Sequence, residues 1–335
     1  MLVFQSQPKL LNTKLIAVWA ISESGLGGLL HAAKIPFSGI LLGSFAIIII
    51  TYLAKSNTNR FNSIIKATIL VILIKAMASP HSPPMAYVAV LFQGVLGASL
   101  YGVFGVNKMT AMSLGALALL ESAFQKILTL TIIFGMNLWV SIQRFFDGIQ
   151  DKLQADWITE LPWLFLVFYG LLYFIVGVFA GSFAFRLPEN VIENAKSLQH
   201  MNLELATNKD PVKKRKRKRV GLIIGLLLFS SVVFLFSGMH KQALTVILRT
   251  LAAIVFFLFL FNPIFKYLIQ KWANKEKVKN QKTLNTIMTL MPDIKNHVSL
   301  ALQLSSNKKH VIKRSKSFVI HWLSLSLYYS EDDTH

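Results

Sequence analysis

The chain contains no cysteine, which removes disulfides, zinc knuckles, thiol nucleophiles and iron–sulfur ligation as options. Charge is also scarce: 15% of its 335 residues are charged, against 54% apolar. A soluble domain of this length needs more charge on its surface. A membrane barrel needs short alternating segments, not unbroken apolar runs such as Ile40 to Leu53. Catalytic and energy-coupling motifs are missing too. There is no G-x-x-x-x-G-K-[ST] phosphate loop and no G-x-S-x-G elbow, so the chain holds no ATPase or hydrolase signature of these kinds. The eight histidines (His31, His81, His200, His240, His297, His310, His321 and His335) show neither H-E-x-x-H spacing nor nearby clustered carboxylates, and neither a metal nor a cofactor is expected. Met1 to Lys14 lacks a basic stretch leading into an apolar core and a small-residue cleavage site, and reads as a short tail.

What remains is an all-α, polytopic helical membrane protein. Apolar stretches long enough to span occur at roughly 15–33, 37–54, 61–78, 85–105, 110–134, 161–185, 220–238 and 243–270. The first is the most polar, with Ser22, Glu23, Ser24 and three glycines.

The formal net charge of +20 points away from nucleic acid once its placement is considered. Ten Lys or Arg lie between Arg186 and Arg219, seven of them in the block Lys213, Lys214, Arg215, Lys216, Arg217, Lys218 and Arg219, and ten more lie between Lys275 and Lys316. Basic residues beside spans fix topology and attract anionic lipid headgroups. A cytoplasmic N-terminus places Lys9, Lys14, Lys55, Arg60, Lys66, Lys108, the 186–219 group and the tail inside. Lys34, Lys75, Arg144, Lys152 and Lys241 then fall near the outer surface. This predicts eight spans in the cell's inner (cytoplasmic) membrane, with both termini cytoplasmic. It also divides the chain into a six-span module (1–186), a basic linker (187–219), a two-span hairpin (220–271) and a basic tail (272–335). In the tail, the apolar spacing of 283–304 is helical but interrupted by Pro292, and "KSFVIHWLSLSLYYS" reads as strand-like or amphipathic.

Two kinds of feature could carry function. Ala20, Ser24, Gly28 and Ala32 recur every fourth residue, and Gly94, Ala98 and Gly102 repeat the device, with Gly97 and Gly105 beside them. Small faces let helices approach closely in lipid, either within the module or against another membrane subunit. Polar groups at membrane depth are the second kind, because burying them costs several kcal/mol unless they pair or meet a ligand. Gln93 lies within span four, and Glu121 and Gln125 stand one turn apart on span five. His81, Ser82, Tyr87, Asn137 and Trp139 lie toward the same outer side, so a ligand pocket is one reading. The competing reading is packing, with Glu23 neutralised by Lys126 and Gln93 bonded to a neighbouring helix. The segment "SPHSPP" at 79–84 ends one span and starts the next, as a plain turn or as the rim of a site.

The segments "AISESGLGGLLHA" (20–32), "SPHSPPMAYVAVLFQG" (79–94) and "LLESAFQKIL" (119–128) carry a resemblance. On them the first 186 residues resemble the substrate-capture (S) components of energy-coupling-factor vitamin transporters. That resemblance implies a six-helix subunit that binds a vitamin-sized ligand from outside and is energised by a separate transmembrane coupling subunit and two ATPases. The family's alanine-every-fourth first helix maps onto Ala20, Ser24, Gly28 and Ala32, with Ser and Gly at the two middle positions. The segment 187–335 has no counterpart in that architecture. The alternatives are a scaffold or assembly protein and a membrane enzyme acting on a lipid-linked substrate, with Glu121 or His81 as acid or base.

Overall fold

The computed structural model describes residues 8–27, 38–79, 82–154, 160–198, 255–306 and 310–329, with Leu248, Leu251 and Ala252 between. Among these residues the chain is helical and contains no strand. The helices are α1 (Pro8–Ile21), α2 (Ser38–Ser56), α3 (Arg60–Ala78), α4 (Pro84–Phe104), α5 (Lys108–Phe134), α6 (Asn137–Leu153), α7 (Leu161–Leu198), α8 (Asn262–Ser305) and α9 (Val311–Tyr328). Two π-helical segments occur, Ser22–Leu26 and Phe256–Phe261. Five of the helices are long and apolar enough to cross a membrane: α2, α3, α4, α5 over Lys108–Ile132, and α7. The protein is therefore an all-α polytopic membrane protein. The expected span 220–238, the polybasic block and His81 lie outside the described residues, as do Gly28 and Ala32.

Local sequence explains where the helices start and stop. Asn59 caps α3 by accepting from the Asn62 amide at 3.4 Å, and Asn107 caps α5 by accepting from the Thr110 amide at 2.8 Å. Pro83 in an extended conformation precedes Pro84, the first residue of α4, where a missing amide hydrogen costs nothing. Gly105, at φ 70°, ends α4 in the left-handed region.

The chain forms two compact units. The first comprises Met1–Phe124, Tyr169–Ala206 and Phe265–His335, and the second Gln125–Phe168 and Thr207–Ile264. Residues 186 and 271, where the sequence pattern changes, fall inside the continuous helices α7 and α8.

In the first unit α2 is buried on every side from Phe45 to Ala54, which makes it the centre of the bundle. α4 buries Tyr87, Val90, Gly94, Ala98 and Tyr101 at helical spacing and exposes Val88, Leu91, Phe92 and Val95 as its lipid-facing side. Hydroxyls within the bundle bond locally. Thr51 Oγ1 donates to the Ile47 carbonyl and lies 2.7 Å from the Tyr101 hydroxyl, and Thr68 Oγ1 donates to the Ile64 carbonyl. The closest helix approach joins α5 to α7, where a Cβ on Gly115, Gly177 or Gly181 would overlap the facing backbone at Gly177, Gly115 or Ala111. The spacings Ala111-x-x-x-Gly115 and Gly177-x-x-x-Gly181 are the small-residue pattern of membrane helix pairs.

The tail departs from expectation. Lys316 to Tyr328 of that segment are helical, as part of α9, and Trp322 to Leu327 are all buried. Alternation carries no facial information when both alternate sets are inside, so the strand-like reading fails here for a physical reason. α8 runs unbroken through Pro292, which removes one backbone bond without ending a helix whose neighbours stay packed. α9 is tied into the unit by Ser324 Oγ donating to the Val191 carbonyl, Trp322 Nε1 donating to the Ile294 carbonyl, and Phe45 stacked on Trp322 at 5.1 Å.

Candidate functional site

α1 turns into a π-helical segment at Ser22. Ser22 Oγ donates to the Trp19 carbonyl at 2.7 Å and Ser24 Oγ to the Ala20 carbonyl at 2.6 Å, so two hydroxyls compete with the backbone ladder at the place where the helix widens. Glu23 is 4% exposed, and its carboxylate accepts from Lys75 Nζ at 2.7 Å. Lys75, 3% exposed, also donates to the Ala86 carbonyl at 3.0 Å and lies 5.7 Å from the Tyr87 ring. The partner of Glu23 is therefore Lys75 and not Lys126, which is exposed. Lys75 is likewise not the outer-surface cation its position near the end of α3 suggested. It faces α1 and α4, where a lone buried ion would be untenable.

Beside this pair, Tyr87 is buried and its hydroxyl donates to the Ser79 carbonyl at 3.3 Å. Ser82 Oγ donates to Ser79 Oγ at 2.9 Å, and the Ser82 amide to the Ser79 carbonyl. The described part of the 79–84 segment is thus a compact, internally bonded turn on top of α3 and α4.

Gln93 lies midway along α4 and is 3% exposed. Its carbonyl oxygen has no hydrogen-bond partner among the described residues. A Cβ placed on Gly43 of α2 would lie 2.6 Å from the Leu119 side chain, 3.5 Å from Gln93 Nε2 and 3.9 Å from Ser122 Oγ. The side chains of Gln93, Leu119 and Ser122 therefore meet over a glycine on the central helix. Ser122 is buried and its hydroxyl points back to the Ala118 carbonyl at 3.4 Å. Glu121, on the next position of α5, is half-buried.

Of the other expected ligand residues, Gln125, Asn137 and Trp139 belong to the second unit, where Trp139 Nε1 donates to Thr131 Oγ1 at 3.0 Å. Of the expected docking residues, Ala20 is fully buried within the first unit, Ser24 is half-buried, and Gly94 packs directly on Thr68 of α3. Ala98 is buried and Gly102 is exposed beside Phe61.

Sequence reasoning missed Lys75 as a membrane-depth group and Gly177 with Gly181 as a contact. The four-residue glycine spacing was a usable signal for the second. For Lys75 the only signal was its proximity to the end of a span. A third omission is a cavity of about 710 Å³ lined by residues of α1, α2, α3 and α8. None of the expected ligand residues lines it.

No protein-family model matches the sequence, and no curated protein or solved structure is significantly similar to it.

Proposed function

We propose that this chain is a membrane-embedded binding subunit for uptake of a small, vitamin-sized solute, energised by separate partner subunits, and neither an enzyme nor a passive scaffold. The observation that carries the reading is Gln93, an amide buried midway along α4 whose side-chain oxygen has no hydrogen-bond partner among the described residues. An orphaned buried acceptor costs about 1–3 kcal/mol, a cost that a hydrogen-bonding solute removes on binding. Ser122 beside it supplies a second polar group, and the Leu119 side chain, which fills the space over Gly43, is what a solute would have to displace. Admission of the solute requires α4 and α5 to part at their outer ends, with the Glu23–Lys75 pair holding α3 against α1 meanwhile.

In this reading both termini are cytoplasmic and the chain crosses the membrane eight times. Asn12 bonds Asn57 and Lys55 pairs with Glu189 at 3.0 Å, which brings together segments that the basic residues assign to one side. The need for an energising partner follows from the resemblance and from the lack of any phosphate-loop sequence.

Native mass spectrometry of the intact protein in mild detergent tests the proposal. A retained small solute, released on unfolding and absent from Gln93→Leu, is the expected result. Recovery of the chain with lipid alone, from cells grown in rich medium, would defeat it.

A further inference from the structure

The cavity in the first unit is built mainly from one face each of three helices. α1 contributes Lys9 and, two turns on, Ile16; α3 contributes Lys66 and Leu70; α8 contributes Glu276, Lys279 and Lys282. Each set recurs at helical spacing, so the wall is a property of the packing and not of a loop. Its composition is mixed. Ile16, Leu53 and Leu70 supply apolar side chains, while Lys9 stands at the start of α1, Lys66 nearly two turns into α3, and Lys279 and Lys282 near the middle of α8. Lys66 is about 9 Å along α3 from Arg60, within reach of the headgroup zone for a side chain that extends outward.

Charge in the cavity is unbalanced. Four lysines, all exposed, and one glutamate line it, and no Asp or Glu lies within ion-pair distance of any of the four lysines among the described residues. Glu276 accepts instead from Asn280 Nδ2 at 3.2 Å, which turns it toward its own helix. Four like charges around one space repel each other, and an anion placed among them relieves that repulsion. Lysine recognises phosphate as a point charge, and basic pockets between membrane helices on the cytoplasmic side suit phosphorylated headgroups.

We propose that this cavity binds a phosphate-bearing anion, with the phosphate among Lys9, Lys66, Lys279 and Lys282 and any apolar portion against Ile16, Leu53 and Leu70. Two sources share that chemistry: an anionic phospholipid of the adjoining leaflet, and a soluble phosphate or pyrophosphate compound. This site is separate from Gln93 and does not depend on the uptake reading.

The test uses the full chain in phosphatidylcholine nanodiscs, titrated in one arm with phosphatidylglycerol and in the other with inorganic pyrophosphate. Binding is read by thermal shift and by native mass spectrometry. In Lys66→Gln/Lys279→Gln/Lys282→Gln the affinity for the recognised probe should fall roughly 100-fold, since each lysine near a membrane surface contributes about one factor of five. Glu276→Gln should bind more tightly, and it reports on the site even if the triple variant folds poorly. Lys313→Gln/Arg314→Gln, exposed on α9 outside the cavity, should bind as wild type does. Selective response to phosphatidylglycerol assigns the lipid source, and response to pyrophosphate the soluble one. No response to either probe, equal affinity in the triple variant, or an equal loss in the α9 control overturns the proposal.

Discussion

Replacing Lys75 by Met leaves the Glu23 carboxylate buried in the bundle with no cation, and its stability cost follows from the structure. At 2.7 Å and an effective dielectric of about 20, the Glu23–Lys75 attraction is roughly 6 kcal/mol, most of it offset by the cost of taking both ions out of water. Removing one partner alone forfeits the attraction but keeps the other ion buried. The expected loss is therefore about 3–5 kcal/mol for Lys75→Met, and a similar loss holds for Glu23→Leu. The double variant Glu23→Leu/Lys75→Met removes both ions and should lie within about 1.5 kcal/mol of wild type, since apolar replacement of a buried pair is often neutral. The assay is a double-mutant cycle of reversible denaturant unfolding in detergent micelles, with helical circular dichroism as the signal. Single variants within about 0.5 kcal/mol of wild type, or losses that simply add in the double variant, would refute the view that the pair is buried and mutually dependent.

Four further predictions concern packing and pH. His297 is 5% exposed, and its pKa is lowered from 6.5 to about 4, chiefly by burial, with Asp293 opposing and Lys14 adding to the shift. The folded state thus binds this proton less readily than the unfolded chain, so His297 contributes stability above pH 6.5 that is lost as the pH falls toward 4. The loss is roughly 3 kcal/mol in all, and His297→Phe should flatten that part of an unfolding-versus-pH curve. Trp322→Ala removes the ring stacked on Phe45 and the bond to the Ile294 carbonyl. A cost of about 3–5 kcal/mol is expected, with α9 becoming the first site cut in limited proteolysis. Gly177→Ala pushes a methyl into the Gly115 carbonyl, where no side chain can rotate away, and should lower stability by at least about 2 kcal/mol. Gly148→Ala, with open space around it on α6, should instead stabilise by about 0.5 kcal/mol in the same melting assay.

The helical, membrane-spanning character was legible because lipid allows few alternatives: apolar runs of about 20 residues must satisfy their own backbone bonds. The proline pair at the start of α4 also announced a turn in plain sequence. Partnership was harder to read. Nothing local to Glu23 says that its cation is Lys75 rather than Lys126, because the choice depends on how α1 and α3 rotate against each other and on a π-helical turn created by two serines. The burial of Gln93 could be guessed from its place within a span, but not that its side-chain oxygen would have no hydrogen-bond partner among the described residues. In the tail, burial on all sides erased the facial pattern that sequence reading relies on. The lysines of the cavity were visible only as topology signals, since their convergence requires α8 to lie against α1 and α3.

The most direct test of the account is to compare wild type and Gln93→Leu after exhaustive removal of bound solute, measuring thermal stability and solute recapture on the same samples. The account predicts opposite movements: the stripped Gln93→Leu protein is more stable than stripped wild type, by about 1–3 kcal/mol, and fails to rebind solute. A Gln93→Leu protein that is less stable than stripped wild type, or that recaptures solute as well as wild type does, would contradict it.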